Sequence, residues 1–228
     1  MDRNNLKIIE STWNSIAESF DKTRKKPWEI CQKFISTLSP SSTVGDFGCG
    51  NGRHTKICSA YCSRVIALDL SNLLLNIAKN SMLYNNCQNV DYIHGSLTNI
   101  PLKNEVLDAV ISIATIHNIP RKENRIQSLH EIYRILKKDG ITLISVWSKH
   151  QKKYQITKNN VINEFNLEEG DRIVYWDQNH KHVPRFYHFY GEEEFEDDLK
   201  KAGFTSFTIR NVSLASKDKD NYFAFLNK

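Results

Sequence analysis

Apolar positions recur along this chain with two alternating periods. Ile9, Trp13, Ile16, Ala17 and Phe20 fall at i, i+4, i+7, i+8 and i+11, the stripe of an amphipathic helix. A polar run, Asp21 to Lys26, separates it from a second helix that Pro27 can open and that runs to about Leu38. Thr43–Phe47 then reads as a short strand feeding Gly48-Cys49-Gly50-Asn51-Gly52. Beyond it the pattern alternates. A helix is expected from about Arg53 to Cys62, a strand from Arg64 to Leu68 ending at Asp69, and a helix capped by Ser71 that carries Leu74, Leu75, Ala78 and Met82. Strands follow at Val90–His94 and Leu107–Ala114. Ile126, Leu129, Tyr133 and Leu136 mark another helix, closed by Lys137-Lys138-Asp139-Gly140, and Ile141–Trp147 is again strand-like. Strands alternating with helices predict an α/β fold with a mostly parallel sheet covered on both faces.

After Trp147 the periodicity lapses from Ser148 to Val183, which reads as a variable insertion within one domain spanning 1–228, with N-terminal helices over 4–38. A helix at about Glu192–Ala202, acidic in its first turn, and strands at Phe204–Asn211 and Tyr222–Leu226 complete the chain. A length of 228 residues fits a single sizeable core.

Composition refines this only slightly. A net charge of +5 leans towards an anionic partner. Five cysteines without a Cys-x-x-Cys pair point to free thiols in a reducing compartment, not to a metal site. No stretch approaches the ~18 apolar residues of a membrane span, and the N-terminus lacks a signal-peptide core. The expected location is the cytoplasm, with the nucleus as a second compartment.

Chemistry concentrates in two places. The first is Val44-Gly45-Asp46-Phe47-Gly48-Cys49-Gly50-Asn51-Gly52, whose three alternate glycines stand between a strand and a helix, where backbone can turn tightly and a ligand can approach. Asp69, at the carboxyl end of the next strand, is placed to accept hydrogen bonds from ribose hydroxyls. The second is "HVPRFYHFY", His182 to Tyr190, which packs one Arg, two His and four aromatics into nine positions far along the chain.

Asp46–Gly52, Asp69 and the segment around Pro101 resemble class I S-adenosylmethionine-dependent methyltransferases. That resemblance implies a Rossmann-like, seven-stranded, mostly parallel sheet in order 3-2-1-4-5-7-6, its last strand antiparallel, with helices on both faces. It implies S-adenosyl-L-methionine as cofactor, with Gly48 and Gly50 facing the methionine moiety, Asp46 supporting it and Asp69 on the ribose. Cys49, Leu70, Ser96 and Ala114 join the expected cofactor contacts, Ser96 standing where many members carry an acidic residue for the adenine amino group.

More specific strings resemble the methyltransferases that esterify carboxymethyl-uridine at the tRNA wobble position. Phe20–Trp28 matches F-x-x-T-R-x-x-P-W, Ile111–His117 matches I-S-I-A-V-[VI]-H, and "ISVWS" and "RFYHFY" match as well, while Asn118 replaces a frequent second His. The resemblance implies tRNA, through its anticodon loop, as substrate and a small zinc-binding activator subunit as partner. The edge strand Val90–His94 is compatible with that partner. One or both of Arg24 and Arg185 are expected to grip the substrate carboxylate or a flanking phosphate, since the planar guanidinium pairs carboxylates bidentately. Tyr187 and His188 are expected to shape the uridine pocket, with His117 beside them. Lys22, Lys25, Lys26, Lys149, Lys152 and Lys153 are candidate backbone contacts. Two readings compete: a small-molecule methyltransferase, which has no reason for T-R-x-x-P-W beside a basic cluster, and a non-catalytic nucleotide- or tRNA-binding module.

Overall fold

In the computed structural model, residues 1, 3–151, 167–214 and 220–228 are described below; Lys152 and Lys153 lie outside them. The helices are α1 (Arg3–Thr23), α2 (Glu29–Ile35), α3 (Thr55–Tyr61), α4 (Asn72–Tyr84), α5 (Lys122–Ile135) and α6 (Glu192–Lys201). The strands are β1 (Thr43–Phe47), β2 (Arg64–Asp69), β3 (Val90–His94), β4 (Leu107–Ile113), β5 (Leu136–Trp147), β6 (Asp171–Gln178), β7 (Lys181–His188), β8 (Ser206–Val212) and β9 (Asn221–Asn227).

Seven strands form one sheet in the order β3-β2-β1-β4-β5-β9-β8. The first five are parallel, and β9 runs antiparallel to both neighbours. Strand alternation explains why both faces are dry. On β4, Val110 joins one core cluster with Phe47, Leu68, Leu129, Ile132 and Ile144, while Ala109 and Ile111 join the other with Val44, Cys58, Val65, Leu143 and Phe223. No helix among the described residues is long and apolar enough to cross a membrane.

Two local expectations change. Lys137–Gly140 does not close α5, because the chain turns directly at Leu136 into β5; Asp139 sits at φ 64° and the β4–β5 register shifts there. The stretch 148–183, which shows no period, contains β6 and the start of β7, a separate two-stranded hairpin. Its turn is Asn179-His180, both at positive φ (52° and 59°), the conformation favoured in two-residue hairpins. Outside the sheet, this hairpin packs on α1: the Trp176 indole and the Asn179 amide both donate to the buried Ser19 hydroxyl at 2.8 Å. A single bridge, Ser148 with Tyr190, links the segment after it to the end of β5.

Candidate functional site

The pocket lies at the carboxyl ends of the parallel strands, where open α/β sheets place ligands. Its floor is the glycine turn. Gly48, Gly50 and Gly52 stand at φ 73°, 56° and 79°, and a Cβ on Gly48 would come within 2.1 Å of the Thr115 side chain. At Gly50 a Cβ would meet only the Phe20 ring, at 3.6 Å, so this glycine keeps a cradle open under α1. Ala114 holds the facing turn at φ 55°, pinned by Ser145, whose carbonyl and hydroxyl accept from its N–H.

Asp69 ends β2 inside the pocket, its two carboxylate oxygens accepting from Gly50 N–H and Ser71 N–H at 2.8 Å. Burial raises its pKa. Asp46 is elsewhere: it lies beneath the turn, accepting the Thr55 hydroxyl at 2.6 Å, and does not line the pocket. Complete burial pushes its carboxyl up to about 7. Cys49, Leu70, Ser96 and Ala114 line the pocket with Gly48 and Gly50. Ser96 accepts Thr98 N–H at 3.2 Å and so stiffens its own turn.

The opposite wall carries the second set. His117, on a short 3-10 turn after β4, is fully buried, and its Nδ1 accepts the Trp147 backbone N–H at 3.1 Å. The proton therefore sits on Nε2, which has no partner among the described residues. Burial, helped by the nearby His188 and Arg185, lowers the pKa to about 3, so the ring is a neutral donor. His117, Trp147 and Tyr187 form one aromatic stack.

Arg185 is only 7% exposed. One Nη donates to the Tyr187 hydroxyl, Nε has no partner, and no carboxylate pairs with it among the described residues. Its Cζ lies 4.9 Å from the Tyr187 ring, 5.1 Å from Trp176 and 5.7 Å from Trp13, a cage that holds the cation by its faces and leaves the fork for an anion. Arg24, half-buried at the end of α1, stacks on Trp176 at 5.4 Å. The two arginines predicted from separate strings thus share one indole and one pocket.

His188 does not join them. Alternation along β7 turns it away from the pocket, and its ring nitrogens lie against Asp171 (2.7 Å) and Glu194 (2.9 Å). The expectation that it shapes the uridine pocket is corrected by this register: His188 pairs across the hairpin with Asp171, whereas Tyr187 pairs with Arg172 on the other face. Phe186 packs with Ile9 and Ile173, and Phe189 with Val174 and Tyr187.

Trp13, Phe20, Trp176 and Arg53 also line the pocket without having been predicted there. Trp13 and Phe20 belong to the apolar stripe of α1, where a core aromatic and a pocket aromatic carry the same signal. Arg53, stacked over Trp28 at 4.9 Å, follows the glycine turn directly, and its guanidinium pKa is lowered to about 10 by burial and by Arg24.

Residues 45–144 match the family model of a methyltransferase domain. The Xenopus tropicalis tRNA (carboxymethyluridine(34)-5-O)-methyltransferase alkbh8 is 32% identical over 162 residues, 71% of this chain and 24% of that protein. The Schizosaccharomyces pombe tRNA (carboxymethyluridine(34)-5-O)-methyltransferase is 33% identical over 147 residues, 63% of this chain and 59% of that one. The alignments to the first curated relatives span only 24% to 35% of their length. A solved complex between the Haloferax volcanii Trm112 methyltransferase activator and a putative methyltransferase matches with a TM-score of 0.67 at 13% identity, covering 96% of each chain, a likeness of fold.

Proposed function

We propose, for a chain that resembles the class I S-adenosylmethionine-dependent tRNA methyltransferases acting on wobble carboxymethyl-uridine, that its pocket makes the methyl ester of that carboxylate. The observation that carries this reading is Arg185: a buried guanidinium caged by aromatic rings, with no carboxylate partner among the described residues, on the wall opposite the glycine turn. A buried cation of this kind calls for an anionic ligand.

The cofactor is S-adenosyl-L-methionine, and the residues present fit it: an open cradle at Gly50, a buried carboxylate at Asp69 and an apolar flank at Leu70, Leu74 and Leu97. When bound, it supplies an electrophilic methyl group on a sulfonium. The acceptor carboxylate, with a pKa near ~4, is already ionised at neutral pH. With the cofactor held there, the methyl group would pass from sulfur to a carboxylate oxygen, a transfer that would require no proton to move. The protein therefore needs alignment and dryness, not a base. The neutral His117 agrees with that requirement: it can donate from Nε2 and cannot take a proton near neutrality. Arg185 and Arg24 orient the carboxylate or an adjacent phosphate, Tyr187 fixes Arg185 through its hydroxyl, and the stacked Trp147 and Tyr187 wall excludes water. A wobble base, splayed from its loop, suits an aromatic-lined pocket. Lys22, Lys25, Lys26 and Lys149 are exposed and are the candidate contacts to the tRNA backbone.

A small zinc-binding activator is the proposed partner, and a cytoplasmic or nuclear location follows from the substrate. Strand β3 is one edge of the sheet, and Leu83 and Tyr84, at the end of α4, are 66% and 92% exposed. The test is transfer of labelled methyl from the cofactor into tRNA bearing carboxymethyl-uridine, with the activator present. The label should leave on mild alkaline treatment, as an ester must; label that survives alkali overturns the reading.

A further inference from the structure

The hairpin that carries Arg185 and Tyr187 lies outside the seven-stranded sheet, so something other than a ladder must hold it in place. On its far face a buried ionic cluster does so. His188 is 0% exposed, between Asp171 Oδ1 of β6 at 2.7 Å and Glu194 Oε1 of α6 at 2.9 Å. Arg125 of α5, 1% exposed, reaches Glu168 Oε2 at 3.1 Å and Asp171 Oδ1 at 3.9 Å. The Tyr190 ring stands edge-on to His188 at 4.6 Å, with its hydroxyl near Asp198, and Asp198 lies 3.3 Å from Lys122. On the pocket side the facing groups are His117 and Arg185.

Ionised carboxylates only accept hydrogen bonds, so a ring lodged between two of them satisfies both only when both its nitrogens carry protons. A neutral imidazole would turn a lone pair onto one carboxylate. We propose that His188 is a positioning residue: as an imidazolium bolted between Asp171 of the hairpin and Glu194 of α6, it sets where Arg185 and Tyr187 stand in the pocket. Residues 185, 187 and 188 share one strand with alternating faces, so what His188 grips on one side fixes what the others present on the other. The consequence for methyl transfer rests on the function proposed above; the bolt itself does not.

The charge balance agrees. Burial works against the imidazolium, but the hydrogen bonds to Asp171 and Glu194 outweigh it and hold His188 above the ordinary histidine pKa. A group whose folded pKa is raised contributes its full stabilisation below the unfolded value, ~6.5 for His, and loses it as pH rises through the folded value. The bolt is therefore fully set below the ordinary histidine pKa and released as pH rises through the higher folded value.

Two readouts on the full chain test this. Nitrogen-15 NMR of the imidazoles, with the His188 signals assigned by their absence from His188→Gln, should show an imidazolium at pH 7. Its midpoint should fall by roughly one pH unit or more in Glu194→Gln, which removes one neighbouring charge. In steady-state transfer, His188→Gln should raise KM for the tRNA roughly 10- to 100-fold, while affinity for S-adenosylhomocysteine stays within about twofold. The wild-type KM should rise with pH along the NMR midpoint, and that of His188→Gln should stay flat. A neutral His188 at pH 7, or an unchanged midpoint in Glu194→Gln, overturns the bolt. An unchanged KM in a folded His188→Gln overturns the positioning role. Should His188→Gln not fold, Glu194→Gln carries both measurements, with the acceptor KM rising at lower pH than in wild type. Wild-type protein that methylates no tRNA would defeat the functional reading, leaving the NMR midpoint to decide the bolt.

Discussion

The rings of Trp147 and Tyr187 are stacked at 4.3 Å with their planes 17° apart, joining the end of β5 to the hairpin that is not part of the sheet. The same Tyr187 hydroxyl accepts from Arg185. The ring and the hydroxyl therefore do separable work. Tyr187→Phe should keep the melting temperature within a few degrees and lower transfer by roughly tenfold, the cost of about one hydrogen bond to a charged group. Tyr187→Ala should lose the stack as well and cost about 3 kcal/mol or more of stability. Thermal melts beside initial rates separate the two effects; equal losses of activity without a stability difference would contradict this division.

Arg185 should tolerate no replacement. Arg185→Ala is expected to lower kcat/KM by roughly 10- to 100-fold, as loss of a charged hydrogen-bond partner does, with cofactor affinity unchanged. Arg185→Lys should not restore it, because an ammonium offers a point charge where a planar fork sits among three rings. Isothermal titration with S-adenosylhomocysteine and transfer kinetics on the same samples check both statements.

The two glycines facing the pocket should fail differently. Gly48→Ala puts a methyl within 2.1 Å of Thr115 at φ 73°, so it should destabilise the fold by more than the ~1–2 kcal/mol of left-handed strain alone. Gly50→Ala has 3.6 Å of room and should pay only that strain, yet fill the cradle and weaken cofactor binding. Denaturant melts and cofactor titrations of the pair give the contrast, and similar stabilities for both variants would refute it.

Asp46 makes the protein less stable as the pH rises. Its folded pKa of about 7 lies above the ordinary aspartate value of 3.8, so the folded state holds an extra proton between the two. Stability from this group is greatest below 3.8, falls as pH rises through that interval, and is level above about 7. Asp46→Asn, which keeps an acceptor for Thr55, should raise the melting temperature at pH 8 and leave it nearly unchanged at pH 4. A fall at pH 8 would count against this assignment.

Much of this was legible before any coordinates. The sheet order follows from strand–helix alternation joined to a family resemblance; the strings single out Arg24 and Arg185 one by one, but that they meet over Trp176 is visible only in the structure. The hairpin was not legible. In Asp171–Gln178 both faces carry apolar side chains, Ile173 and Tyr175 on one and Val174 and Trp176 on the other, so period-two alternation disappears. Its turn is Asn-His, without the glycine that usually announces such a loop. Trp176, the indole between the two arginines, was hidden with it. His188 was misplaced because composition names the residues of "RFYHFY" but not the register that sorts them onto two faces. The acidic start of α6 gives no hint of its partner: Glu194 reaches His188 on the far face of the hairpin.

Helix α1 is tied to the glycine turn at its own end: the Asn51 amide donates to Asp21 at 2.9 Å and to the Arg24 carbonyl at 3.0 Å, and Phe20 lies above Gly50. The helix that roofs the cofactor cradle thus also leads directly into Arg24, one of the two pocket arginines, and docks the hairpin bearing the other. A shift at this one helix end therefore reaches the floor and the far wall of the pocket together. Asn51→Ala, which loosens the tether, should weaken binding of S-adenosylhomocysteine and of the methyl acceptor together, measured by titration and by KM; a change in only one would contradict this.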